Sequence, residues 1–198
     1  MRQPVKPLKY RAAGNALLMI ALASFPARAA VVLKLDLPEL VLRAEHIVLA
    51  VARQKSARFT PRGRIVTDVT LTVNETLKGD FRPGQDLVVT RLGGEVGERA
   101  MLVEGAPRFQ IGRSALVFLR RAPATGELQV VGMSQGLFRI EQSEGRFFLI
   151  PGGGDLSLVD RNDDSRLFEN PGATVFEPAP LDDLLRKIRR LVAESDDR

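Results

Sequence analysis

Short apolar runs with a two-residue period, cut at intervals by glycine and proline, constrain this chain more than any other feature. In residues 65–74, Ile65, Val69, Leu71 and Val73 fall on one side and Asp68, Thr70, Thr72 and Asn74 on the other. That alternation predicts a half-buried strand. Residues 47–52 form an unbroken apolar run rich in β-branched side chains, as a fully buried strand requires. Residues 87–90, 115–119, 128–131, 138–141 and 146–150 read as further strands, with 115–119 central. Lys78-Gly79-Asp80 and Arg82-Pro83-Gly84 carry turn chemistry, and Gln142-Ser143-Glu144-Gly145 has the spacing of a hairpin.

Helical periodicity is confined to the two ends. Asp36 and Glu39 form a capping-box pair around Pro38, and Leu37, Leu40, Val41 and Ala44 then share one helical face. In 181–193, Leu181, Leu184, Leu185, Ile188, Leu191 and Val192 make a second stripe. Asp182 and Asp183 at its start and basic residues toward its end suit the helix dipole. Between them, 151–180 is rich in Gly, Asp and Pro without sustained period and reads as a long loop or linker. The expected fold is mainly β: a small antiparallel barrel over 31–150, then the 151–180 linker, then a C-terminal helix and tail over 181–198.

The first thirty residues read as a cleaved signal peptide. Arg2, Lys6, Lys9 and Arg11 precede an apolar stretch over 12–25, and Ala27-Arg28-Ala29 offers the small-x-small pattern of a cleavage site. The alternative, an uncleaved anchor, calls for a longer run, since about 20 apolar residues are needed to span a bilayer. The protein is therefore expected to be exported, to the periplasm or the medium, and to meet a membrane only through this peptide. No cysteine follows the apolar run, which rules out a lipoprotein anchor, a disulfide framework and thiolate zinc sites.

Cleavage also changes the charge. Of 29 Lys and Arg against 24 Asp and Glu, five basic residues and no acids lie in the first thirty, so the remainder balances at 24 to 24. Nucleic-acid binding, which feeds on surplus cations at phosphates, loses its support.

Residues 40–50, followed by a basic loop and then by 65–79 ending in Leu77-Lys78-Gly79, resemble the start of the netrin-like fold. That fold is the OB-type barrel of the tissue inhibitors of metalloproteinases. Residues 112–119 resemble a later strand of such barrels, and 36–140 is similar to uncharacterised exported bacterial proteins, some of which accompany secreted metalloproteases. The resemblance implies an OB-type barrel over about half the chain. The animal inhibitors act through an N-terminal cysteine that this chain lacks.

The candidate sites are few. Gly132-Met133-Ser134-Gln135-Gly136 matches the G-x-S-x-G nucleophile elbow, which requires a helix after it and a histidine downstream. Here strand residues follow, and the only histidine, His46, lies upstream. A serine hydrolase using Ser134 and His46 is carried as an alternative. Asp160, Asn162 and Asp164 have calcium-loop spacing, but Ser165 and Pro171 replace the required Gly and Glu, so no metal or cofactor is expected. Gly152-Gly153-Gly154-Asp155 is one imperfect copy of a calcium repeat that works in arrays. Arg53, Lys55, Arg58, Arg62 and Arg64 form a basic run without acids, the basis of a second alternative, polyanion or membrane-surface binding through 53–64. The long excursion holding Gly93, Gly94, Glu95, Arg108 and Phe109 is the preferred partner-binding face, with Arg58, Arg62 and Arg64 beside it. The expectation is a non-catalytic accessory domain for an unknown protein partner, such as a protease.

Overall fold

A computed structural model of the chain describes residues 30–152, 156–161, 167–169 and 177–196. The elements run β1 (Ala30–Leu33), α1 (Leu37–Arg43), β2 (His46–Phe59), β3 (Ile65–Lys78), β4 (Asp86–Leu92), β5 (Gly94–Val96) and β6 (Arg99–Met101). They continue with β7 (Ser114–Arg121), β8 (Leu128–Val130), a 3-10 turn (Met133–Gly136), β9 (Leu137–Ser143) and β10 (Arg146–Pro151). Last come β11 (Leu156–Arg161), β12 (Leu167–Glu169), β13 (Ala179–Pro180) and α2 (Leu181–Asp196). The protein is mainly β.

Five strands close into a ring. β2, β3 and β4 form an antiparallel meander, β4 meets β8 in parallel at Val89 and Leu128, β8 runs antiparallel to β7, and β7 returns to β2. The two-residue period of each strand sends one row inward: Val48, Ala50, Val69, Leu71, Val73, Leu87, Val89, Val117 and Leu119 pack together and are buried. Alternation along β2 hands Ile47 to one core and Val48 to the other, and the pairing with β3 shifts register between Ile47 and Val48 and between Leu49 and Ala50.

The ring forks at β7. One edge carries β2, while the other pairs with β9 over Ala115–Val117 and with β8 over Leu119–Arg121. β10 and β13 extend the sheet beyond β9. Leu116 and Phe118 of β7, Phe138 of β9 and Leu149 of β10 share one core with the two helices and are buried there. Phe118 and Phe138 meet edge-on with ring centres 5.5 Å apart.

α1 forms as its residues dictate. Asp36 accepts from Glu39 N at 2.8 Å and Glu39 returns the bond to Asp36 N at 3.0 Å. Leu37, Leu40 and Val41 are buried, as is Ala44 at the C-cap. α2 docks on the same core through Leu184, Leu185, Ile188 and Val192, with Leu181 and Leu191 partly covered, and Arg189 reaches Glu75 of β3 at 2.6 Å.

Two expectations, the basic loop and the 151–180 loop, need correction. The basic run is largely strand: β2 carries through to Phe59, so Arg53, Lys55 and Arg58 are strand residues and only 60–64 is a turn. Cross-strand pairing with 65–70 overrides the polarity of the sequence there. The excursion between β4 and β7 contains its own hairpin, β5 and β6. The 151–180 segment is not all loop, because β11 lies parallel to β1 and pairs with β12. The expected hairpin at 142–145 forms, with Glu144 and Gly145 both at positive φ (50° and 76°), as a tight I′-like connection needs. Among the described residues no helix is long and apolar enough to cross a membrane.

Candidate functional site

A cleft of about 360 Å³ lies between the excursion and β9. Its floor is small and apolar: Ala52 of β2, Ala115 of β7 and Leu137 of β9, with Phe109 packed against the barrel core beside them. Two alanines where larger residues would close the gap keep it open. Its rim is cationic, with Arg108, Arg113 and Arg139 exposed around it. Glu141, 3.7 Å from Arg139, is the one acid among the described lining residues. An apolar base under a guanidinium rim suits a ligand with an apolar group and an anionic end.

The excursion is pinned where it leaves and rejoins the barrel. Thr67 donates to the Gly93 carbonyl at 2.6 Å, and Gly94 packs so closely that a Cβ would stand 2.4 Å from Thr67 Oγ1. Gly93 and Gly94 are thus packing residues that let the chain turn across the barrel, whereas Glu95 is exposed on β5. Arg108 and Phe109 sit in the cleft wall.

Arg58 is engaged elsewhere. Its Nε donates to Asp68 at 2.6 Å and its Nη2 to Glu127 at 2.7 Å, tying β2, β3 and the loop before β8 together. The hydrogen bonds to these two carboxylates raise its pKa. Burial would push Asp68 up, but the bonds from Arg58 and Thr90 outweigh it and hold the carboxyl below its ordinary value. Arg53 donates to Thr72 at 3.2 Å. Arg62 and Arg64 are exposed at the turn, and Arg53 and Lys55 are exposed on β2.

The G-x-S-x-G segment is a clasp. Gln135 is fully buried; its Oε1 accepts from Leu35 N at 2.9 Å and its Nε2 donates to the Leu33 carbonyl at 3.0 Å, tying β1 to the fork. Ser134 N donates to the Gly105 carbonyl at 3.0 Å, but Ser134 Oγ is buried without a hydrogen-bond partner. No hydrogen bond therefore joins it to His46. A strand, β9, follows where the elbow would need a helix.

His46 packs on Phe81 with ring centres 4.5 Å apart, and its Nδ1 lies 3.5 Å from Asp80. Burial lowers its pKa, and Arg121 adds to this, against the opposing pull of Asp80 and Glu45. Of the calcium-type spacing, Asp160 pairs with Phe168 as a strand residue, while Asn162, Asp164 and residues 153–155 lie outside the described residues. Among the described residues no group of three or more acids or histidines is placed to hold a metal.

Two features escaped the sequence reading. Arg113 and Arg139 join the cleft only through the β7–β9 pairing, which no local pattern announces. Gln135 was hidden inside a match to a catalytic motif. No protein-family model matches the chain, and no curated protein is significantly similar to it.

Proposed function

We propose that this chain is an exported, non-catalytic binding domain on an OB-type barrel, which holds an acidic segment of a protein partner in the cleft beside β9. The observation that carries the reading is the cleft itself, with Arg108, Arg113 and Arg139 around a floor of Ala52, Ala115 and Leu137. Electrostatic complementarity of that kind selects acidic partners and speeds their encounter. The OB-type assignment is supported by the strand order of the ring, a three-strand meander closed by a parallel β4–β8 contact and two antiparallel ones. Export rests on the N-terminal segment, and a netrin-like relationship on the resemblance of 40–50, 65–79 and 112–119. Against a hydrolase stands the buried, unpartnered Ser134 Oγ.

The test is a fluorescent peptide of alternating glutamate and leucine, titrated into the protein at two ionic strengths. Binding should weaken with salt and be lost in the Arg113→Glu, Arg139→Glu double variant at unchanged melting temperature. Equal binding by the double variant would refute the cleft reading.

A further inference from the structure

The inward row of β4 ends on a cation. Leu87 and Val89 are buried in the barrel, and the two-residue period places Arg91 next on that row, half-buried at the barrel's end. Its Nη1 donates to the Leu92 carbonyl at 3.2 Å, and among the described residues no carboxylate lies within ion-pair reach of it. Burial first, and the nearby charge of Arg108 second, push its pKa down. An arginine so placed is ordinarily neutralised by an acid.

Space lies in front of it. β4 and β8 are in register at the single pair Val89 and Leu128, and beyond that pair the seam of the ring opens into a cavity of about 220 Å³. Leu92, Val103, Ala106, Pro107, Val130 and Met133 give it an apolar lining, Arg91 and Arg120 supply its charges, and among the described residues no acid lines it. Met133 holds a left-handed backbone (φ 62°) to take its place there, the kind of local strain that gathers at binding sites. The cavity falls short of the roughly 300–1,000 Å³ of drug-sized pockets, so it fits one residue-sized group.

We propose that this seam cavity binds a carboxylate carrying a small branched apolar group, the carboxylate on Arg91 and the apolar group against Val103, Ala106 and Val130. That chemistry is shared by a free branched-chain acid and by the C-terminal residue of a peptide. The site is separate from the cleft beside β9 and does not rest on it.

The experiment titrates the ¹⁵N-labelled whole protein with N-acetyl-leucine, isovalerate and N-acetyl-leucinamide, following the amides of 90–92 and 129–133 and Arg91 Nε. The acids should shift these signals, and the amide, close in shape but uncharged, should not. Stronger binding of N-acetyl-leucine would identify a peptide terminus as the source, and stronger binding of isovalerate a free acid. Arg91→Gln should weaken binding about tenfold or more, the effect of losing a charge-assisted hydrogen bond. Val103→Phe, which fills the cavity and keeps every charge, should abolish it even where Arg91→Gln perturbs folding. Arg113→Glu with Arg139→Glu should leave it unchanged, which separates this site from the cleft. Equal shifts with the amide, no shifts with millimolar acid, or full binding by a well-folded Arg91→Gln variant would overturn the proposal.

Discussion

Replacing Gln135 by alanine should cost far more than replacing its neighbour Ser134, the reverse of what a nucleophile elbow predicts for function. Gln135 is buried and bridges Leu35 N at 2.9 Å and the Leu33 carbonyl at 3.0 Å. Alanine orphans both backbone groups. The buried bond to Leu35 is worth about 2 kcal/mol once the lost partner is counted, and the part-buried one to Leu33 about 1. A loss of about 3 kcal/mol corresponds to about 6–12 °C in melting temperature for a chain of this size. Ser134→Ala instead removes a buried hydroxyl without a partner and should leave stability unchanged or raise it by up to about 1 kcal/mol. Gln135→Glu separates hydrogen bonding from shape. A protonated carboxyl can accept from Leu35 and donate to Leu33, whereas the ionised form faces the Leu33 carbonyl with a buried charge. Its folded pKa is therefore raised above the unfolded value of about 4.3, so the variant is near wild type in acid and loses stability as pH rises past that value. Thermal melts from pH 4 to 8, with hydrogen exchange of the β1 and β11 amides, measure this. Equal melting temperatures for Gln135→Ala and wild type, or a Gln135→Glu penalty independent of pH, would refute the clasp.

Truncation after Pro180 removes four buried apolar side chains of α2, about 6–12 kcal/mol of gross burial before ordering costs. It should lower the melting point by more than about 10 °C and expose dye-binding surface; an unchanged melt would mean that the helix does not hold the fold. Gly79→Ala places a methyl where its Cβ would stand 2.2 Å from His46 Nδ1, at φ 92°, and should destabilise by about 2 kcal/mol or more in urea titrations. Because burial lowers the folded pKa of His46, its neutral form is the one the fold keeps. Stability should hold above the unfolded value of about 6.5 and fall as pH drops below it, a loss absent from His46→Gln melts.

Local chemistry made much of the fold legible. The capping box at Asp36 and Glu39, the alternation from Ile65 to Val73 and the stripe of α2 each state their structure within a few residues, because caps, strand faces and amphipathic helices are local patterns. What depends on distant partners was hidden. Arg53, Lys55 and Arg58 look like a loop until β3 is laid beside them. Leu156–Arg161 becomes a strand because Ala30–Leu33 lies alongside. The length of the excursion was plain from the spacing of the strands on either side of it, and its Arg108 and Phe109 line the cleft. Arg91 left one faint signal, an arginine at the next inward position after Leu87 and Val89.

The meeting of the two helices has a consequence for how the chain comes into being. α1 is complete by residue 43, yet part of its cover is α2, which begins only at residue 181. β1 likewise waits for partners from 156 onward. During N-to-C synthesis the β2–β4 meander can pair as it emerges, while the first helix and first strand stay only partly covered until α2 and β11 have left the ribosome. Closure of this fold therefore waits on segments made more than a hundred residues after the elements they cover, and a chaperone that meets the chain early would find part of α1 and β1 still accessible.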